Sequence, residues 1–467
     1  MLVAAGTVEL MDLTSLSKFR SRTPRPSRIR RECNFVRRLV VAYARLPMNV
    51  VATDRELSHS MWEPMAHTGF RRFFVAAVVS NAGSWMQSIA VPFTVFEITN
   101  SKTWLGVSAF TGMFVGMLAN APGGMLADRY ARRKVLIWTQ AIQMCSAVSL
   151  LLLWLFGKPT IAALMPFLVL GAIGGGLNMP VWQSFIPSLV PKTEVSAAIR
   201  LNSMQFAVAR AIGPVLGAVT LKTFGASACF AMNAASFLVI IAVLLVVPED
   251  EQVMAPRPPL LLSRIVADIG DGWRYILDRP ALRYAPTAVF VNAAFGFGLT
   301  TLAPAIARDQ LGRAANDNGV LVGAFGLGGA IGVVLIGMAA RRSKNSQQVR
   351  LALVCWVVAD VVLVVTGNFW IGMASFAVAG FANSVGATAL NTSVQLQVDD
   401  GFRGRVMAVY MQMFFLGSAV GSLFLGVLAD VTSLQVAAGL SAAVFVAFHV
   451  WSVVRYAGLT VLDAGET

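Results

Sequence analysis

Charge is what this sequence has least of. Asp, Glu, Lys and Arg make up 13% of its 467 residues, against about 25% in soluble globular proteins. Hydrophobic types make up 57%, and mean hydropathy is +0.69. A soluble core of this size does not hide so much apolar surface, so the composition points to a polytopic membrane protein. Histidine is also scarce: of three, His59 and His67 lie ahead of the apolar region, which argues against a metalloenzyme. The four cysteines (Cys33, Cys145, Cys229, Cys355) are too scattered for a metal site or a disulfide framework and read as small hydrophobes. No GxxxxGK[ST] occurs, so the chain carries no ATP motor of its own. The glycines at 323–332 lie inside an apolar span and read as helix-packing positions. The expectation is a protein that is not an enzyme, with no cofactor and no metal.

What is abundant is the long apolar run. Residues 70–467 divide into twelve blocks of about 33 residues, each long enough for a span of ~20 residues and a loop. The predicted spans are 73–98, 103–127, 134–156, 160–183, 199–221, 226–247, 285–307, 317–340, 350–369, 371–395, 405–429 and 434–456. They are read as helices, because lipid offers backbone groups no hydrogen-bond partner and the short alternating strands of a barrel are absent. The fold class is therefore an all-α polytopic membrane protein.

Lys and Arg set the orientation. With the amino terminus inside, the inner loops and the segment after span 12 hold 18 basic residues. The outer loops hold five: Lys102, Lys158, Lys222, Arg308 and Arg313. Both termini are expected in the cytoplasm, in an inner-membrane protein. Residues 1–69 form a basic tail with a net charge of +5, read as a disordered cytoplasmic segment able to adhere to anionic lipid; no nucleic-acid reader is visible. Met61 offers an alternative start close to span 1. No cleavable signal peptide is expected, because a long basic stretch precedes span 1 and no A-x-A site follows it. Residues 249–282 read as a cytoplasmic linker that opens acidic and turns amphipathic, its Leu262, Ile265, Ile269, Trp273 and Ile276 at helical spacing. That helix is expected to lie on the membrane surface, with a solvated linker as the alternative.

The chain repeats itself. Arg72, Asn81 and Pro92 recur as Arg283, Asn292 and Pro304; Gly106, Gly116, Gly124 and Arg129 recur as Gly319, Gly329, Gly337 and Arg342, 213 residues on. Two six-helix halves follow, 70–248 and 283–458, with 459–467 as a cytoplasmic tail. Such paired halves place a transported solute between them near the midplane.

After span 2 the chain reads Gly124-Met-Leu-Ala-Asp128-Arg129-Tyr-Ala131-Arg132-Arg133-Lys134. This resembles the signature of the major facilitator superfamily, with Ala131 in place of its second glycine. Asp128 at a helix carboxyl end opposes the macrodipole and needs partners. The resemblance implies a gate latch made by Asp128, Arg129 and Arg132, next to Gly124 and Arg133; the simpler alternative is that the basic residues only enforce topology. In span 5, Ala209-Arg210-Ala-Ile-Gly213-Pro214-Val-Leu-Gly217-Ala218 looks like the superfamily's exporter-associated motif, with two alanines for glycines. Gly213 and Gly217 share a face and permit close helix contact; Pro214 removes a backbone donor. Trp85-Met86-Gln87, Pro187–Pro191 and Arg403-Gly-Arg405-Val406 are looser cues. They make the chain similar to the bacterial, secretion-effector-like branch that includes the enterobactin exporter.

Two charges lie inside the apolar spans. Arg210 could meet an anionic group of a solute or pair structurally across the bundle, and Asp360 in span 9 could carry a proton or pack. Span 4 lacks the basic residue that proton-coupled relatives often carry, although a proton gradient remains the expected energy source. Polar stripes mark the expected cavity: Asn81, Ser84 and Gln87 in span 1, Asn178 and Trp182 in span 4, Asn292 and Phe295 in span 7, and Thr388 and Asn391 in span 10. Such a lining suits a small amphipathic organic molecule. The expectation is a monomeric, proton-driven exporter of the drug or siderophore class. A solute importer on the same fold and a non-transporting sensor or scaffold remain alternatives.

Overall fold

A computed structural model describes residues 61–157, 159–247, 262–339 and 343–463. The basic tail before residue 61, the part of the expected linker before Leu262, and Arg342 of the repeat lie outside the described residues. Among the described residues there are helices and turns and no strand. The first helices are α1 (Thr68–Thr99), α2 (Lys102–Arg129), α3 (Arg132–Phe156) and α4 (Ile161–Phe185). Next come α5 (Val195–Val246) and the linker helix α6 (Leu262–Asp278). The rest are α7 (Tyr284–Thr300), α8 (Ala303–Gln310), α9 (Asn318–Ala339), α10 (Asn345–Val365), α11 (Phe369–Gln397), α12 (Arg403–Val431) and α13 (Leu434–Arg455).

Among the described residues ten helices are long and apolar enough to cross a bilayer, and α7 with α8 forms an eleventh, bent by 42°. The longest, α5, runs for 52 residues. At about 1.5 Å per residue it would be about 78 Å long, more than twice a hydrocarbon core of about 30 Å. Gly225 resolves this, with φ 80° and ψ 179° in the middle of the run. That backbone is open to glycine and strained for a side chain. Two crossings therefore share α5, one on each side of Gly225, and the count is consistent with twelve.

Four helices start on side-chain caps: Ser101 before α2, Thr160 before α4, Asn368 before α11 and Ser433 before α13 each accept a backbone N–H of the first turn. All four starts lie at the end of the bundle opposite the basic loop 129–134. These two ends are called here the capped end and the basic end.

Span 7 departs from the expected single helix. Asn292–Phe297 is a π turn, the helix breaks after Thr300, and a second π turn covers Ile306–Gln310. Pro304 stands just past the break, whereas its repeat equivalent Pro92 stays inside an unbroken α1. The linker helix also differs from a surface-lying one. Its Tyr275 and Ile276 are buried, and Ile269 and Trp273 pack against the core of the second half. Asp268 accepts from Arg405 Nε at 2.8 Å, and Tyr275 Oη donates to Asp399 at 2.8 Å. The start of the expected carboxyl-terminal tail is also packed: Leu459 and Leu462 are buried, and Asp463 accepts from Ser346 N and Oγ.

Candidate functional site between the two halves

The apolar core is asymmetric along the bundle axis. One cluster is confined to the first half at the basic end and includes Phe70, Phe73, Leu136, Trp182, Phe185 and Ile240. The other runs from the capped end of the first half, through Ile89, Phe96, Leu105, Leu221 and Phe230, into the whole second half. The halves are thus welded at the capped end and separate at the basic end.

Polar contacts agree. At the capped end Lys222 Nζ pairs with Asp317 at 2.8 Å, Lys102 Nζ pairs with Asp309 at 3.2 Å, and Asn318 Nδ2 donates to the Ile89 carbonyl at 3.1 Å. Arg308 donates to Asn100 and lies over the Phe96 ring at 4.1 Å. Glycine makes the welding possible. A Cβ on Gly106 would lie 2.5 Å from the Ser422 carbonyl oxygen, and one on Gly319 would lie 2.5 Å from Ala218 Cβ. These repeat-related glycines let α2 touch α12 and α9 touch α5.

At the basic end α2 and α12 part around a cavity of about 630 Å³. Met117, Asn120, Gly124 and Asp128 line one side; Gly404, Arg405, Met411, Gln412 and Phe415 line the other; Asp268 and Ile269 of α6 close its rim. Gly124 faces this open space, and it is the neighbouring Gly123 that packs, its Cβ position 2.5 Å from the Leu177 carbonyl oxygen. Arg132 Nη1 donates to the Ser184 carbonyl and Arg133 Nη1 to the Val247 carbonyl, both at 2.9 Å. Two arginines of the gate motif therefore brace their own half, while Arg129 is exposed.

Four of the expected cavity residues converge in the first half. Asn81, Ser84, Asn178 and Trp182 line a pocket of about 190 Å³ with Gln140, Gln143 and Phe206. Ser84 and Gln87 also line an adjoining pocket of about 230 Å³ with Gln143, Ser146 and Asn233. The carboxamides fix one another. Asn81 donates to Gln205 at 3.1 Å, Gln205 donates to Asn202 at 3.2 Å, and Trp182 Nε1 donates to the same Asn202 oxygen at 3.1 Å. Thr139 donates to Asn178 at 2.9 Å and Asn233 to Gln87 at 2.8 Å. Gln140 is 2% exposed, and its Oε1 has no hydrogen-bond partner among the described residues. Reading only the polar stripes of spans 1, 4, 7 and 10 missed Gln140, Gln143, Gln205 and Asn233. The signal was there: carboxamides three residues apart in spans 3 and 5 and an isolated one in span 6.

The second-half candidates are spread out. Asn292 stands at the start of the π turn, and its Oδ1 has no partner among the described residues. Phe295 packs edge-on to Phe424, Asn391 accepts from Gln395, and Thr388 is exposed. None of the four lines the two first-half pockets. In span 5, Gly213 and Gly217 do bring α5 onto α1: Cβ atoms there would lie 2.3 Å from Trp85 Cβ and 3.0 Å from Met86 Cα. Pro214 sits within that helix without breaking it. Arg210 has no ion pair among the described residues and stands 5.8 Å from the Trp85 ring centroid. Asp360 is buried away from these pockets, with Ser441 Oγ at 2.5 Å; the same hydroxyl lies 2.9 Å from the Phe295 carbonyl in the π turn.

The family described as transmembrane secretion effector matches residues 59–463. The enterobactin exporter EntS of Shigella flexneri is 25% identical over 363 residues, covering 77% of this chain and 85% of that protein. The enterobactin exporter EntS of Shigella boydii serotype 4 is 26% identical over 370 residues with the same coverage. Among solved structures, a bacterial homolog of the human lysosomal transporter Spinster, inward-facing and unoccupied, superposes with a TM-score of 0.65 at 15% identity. That alignment covers 85% of this chain and 98% of the other. A POT family transporter in complex with a thioalcohol-conjugated peptide gives 0.68 at 12% identity, covering 84% and 96%. The family match spans almost the whole described bundle, and the paired halves, the gate loop and the superposed structures agree with it: the chain belongs to the transmembrane secretion effector family, within the major facilitator superfamily of transporters.

Proposed function

We propose that this transporter is a secondary exporter that works by alternating access and moves a small amphipathic organic molecule, of the drug or siderophore class, out of the cell. The basic end faces the cytoplasm in this reading, because the loops assigned to that end, with the segment after span 12, carry 18 basic residues against five in the loops at the other end. The observation that carries the proposal is the asymmetry between the ends. The halves are welded at the capped end and leave a cavity of about 630 Å³ at the basic end, the form expected of an inward-open state ready to load from the cytoplasm.

Cargo class rests on the lining. The first-half pockets offer hydroxyl and carboxamide groups beside Trp182, Phe206 and Phe237, without an acidic or basic side chain. Such a surface hydrogen-bonds a neutral, partly aromatic solute and leaves no buried charge unpaired when it departs. The enterobactin exporters among the relatives fit that chemistry. Direction rests on the span-5 motif, and the energy source on the absence of a nucleotide-binding loop, which leaves the proton gradient. A single chain supplies both halves, so a monomer is sufficient.

The test is accumulation in a strain lacking its own efflux pumps, using fluorescent dyes, chelators and iron-free enterobactin, with and without a protonophore. Expression lowers accumulation of at least one solute, and the protonophore abolishes the difference. Higher accumulation on expression identifies an importer. A null result for every solute, from a chain shown to reach the membrane, favours a non-transporting role.

A further inference from the structure

The signature at the end of α2 has a second copy that no expectation singled out. Gly124-Met-Leu126-Ala127-Asp128 recurs as Gly426-Val-Leu428-Ala429-Asp430. Both copies stand at a helix carboxyl end: Asp128 and Asp430 are each the last residue but one of their helices, α2 and α12. The two helices pack against each other, with Gly426 set so that a Cβ would lie 2.6 Å from the Lys102 carbonyl oxygen. They run antiparallel, so the carboxyl end of each lies beside the amino end of the other. Each aspartate opposes its own helix dipole and complements its neighbour's.

At the capped end this complement is made in full. Asp430 accepts from Ser101 Oγ at 2.5 Å, from Lys102 N at 2.9 Å and from Thr103 N at 2.8 Å. Lys102 Nζ stands 3.9 Å from the same carboxylate, and Asp309 binds that ammonium on its other side. One side chain of the second half therefore caps the first turn of a helix of the first half. At the basic end Asp128 lines the open cavity with Gly404 and Arg405 of the first turn of α12. The basic run that follows Asp128 is missing after Asp430, where Val431, Thr432 and Ser433 stand instead. The second copy keeps the capping part of the signature and drops the topogenic part.

We propose that Asp430 is the latch of the capped end, holding the transporter closed there by capping α2, and that it must release for the cargo to leave. The proposal rests on the alternating-access reading. The cap is an intramolecular contact between rigid halves, so its strength is a direct bias on the equilibrium between the two open forms. Loss of a charge-assisted helix cap is worth roughly a tenfold change in such an equilibrium.

The test is distance measurement by paired spin labels in a cysteine-free chain reconstituted in lipid. One pair, Phe224→Cys with Trp370→Cys, spans the halves at the capped end; both sites are exposed. The other pair, Trp138→Cys with Leu396→Cys, spans them at the basic end, again at exposed sites. In Asp430→Ala the capped-end pair gains a long-distance population about tenfold larger than in the parent, and the basic-end pair shortens to match. Asp430→Asn, which keeps the shape and loses the charge, gives a smaller shift in the same direction and stands in if the alanine variant does not fold. Capped-end distances that stay unchanged in a folded Asp430 variant, while Asp128→Asn or added cargo moves the basic-end pair, overturn the latch and leave alternating access standing. A single fixed distance at both ends in every variant, with and without cargo, overturns alternating access itself.

Discussion

Gly213 and Gly124 both belong to motifs that resemble signatures of the superfamily, yet they do different work. A side chain at Gly213 meets Trp85 Cβ at 2.3 Å, whereas one at Gly124 meets nothing within 4 Å. Gly213→Val therefore lowers stability by ~1–3 kcal/mol through overpacking, and Gly124→Ala leaves it within ~0.5 kcal/mol, as read from thermal unfolding in detergent. Equal losses at the two sites would mean that α5 does not pack on α1 as described. Ser441 is a second case. Its hydroxyl is the hydrogen-bond partner of the buried Asp360, so Ser441→Ala costs ~1–3 kcal/mol by stranding the carboxyl group. The double variant Asp360→Leu with Ser441→Ala recovers part of that loss, because no polar group is then left unpaired; a strictly additive double variant would deny the pair. Residue type singled out Gly124, Gly213 and Asp360, though not Ser441. It did not show which neighbour each one meets, because that depends on helix rotation, which apolar spans with apolar residues on every side do not encode.

At the scale of elements, length and hydropathy made the crossings legible; the break in span 7 and the docking of the linker helix were not. Pro92 and Pro304 occupy equivalent repeat positions, but only the second stands at a break. Two π turns, at Asn292–Phe297 and Ile306–Gln310, accompany the break; the first packs against α12 and α13, and neither has a local sequence mark. The linker helix α6 was legible as amphipathic, but its docking surface was not: an apolar stripe fits a membrane surface and a protein groove equally well. Its docked position makes a sharp prediction. Ile276 is 1% exposed and Leu277 is 53% exposed. Ile276→Ala therefore costs ~2–5 kcal/mol, and Leu277→Ala costs less than ~0.5 kcal/mol, on the same unfolding readout. A helix floating on the lipid surface would reverse or level that order.

For the whole molecule, the repeat explains more than topology. Gly106 and Gly319 each join a helix of one half to a helix of the other, Gly116 and Gly329 each approach a helix of their own half, and Gly124 and Gly337 each face open space. Equivalent residues thus hold equivalent stations in the two halves. The repeat and the basic loops were legible in sequence; the closed end of the bundle was not. Which end is closed depends on contacts such as Lys222 with Asp317, between residues 95 apart in the chain, and a single sequence does not rank two open forms that differ by a few kcal/mol. The most direct test of outward, gradient-driven transport is solute movement in everted membrane vesicles, where the cytoplasmic face is outside. On energisation by respiration, vesicles containing the transporter accumulate a solute identified by the whole-cell screen, lose it when a protonophore is added, and fail to accumulate it when they carry Asp128→Asn. Accumulation confined to right-side-out vesicles, or unaffected by the protonophore, contradicts the account.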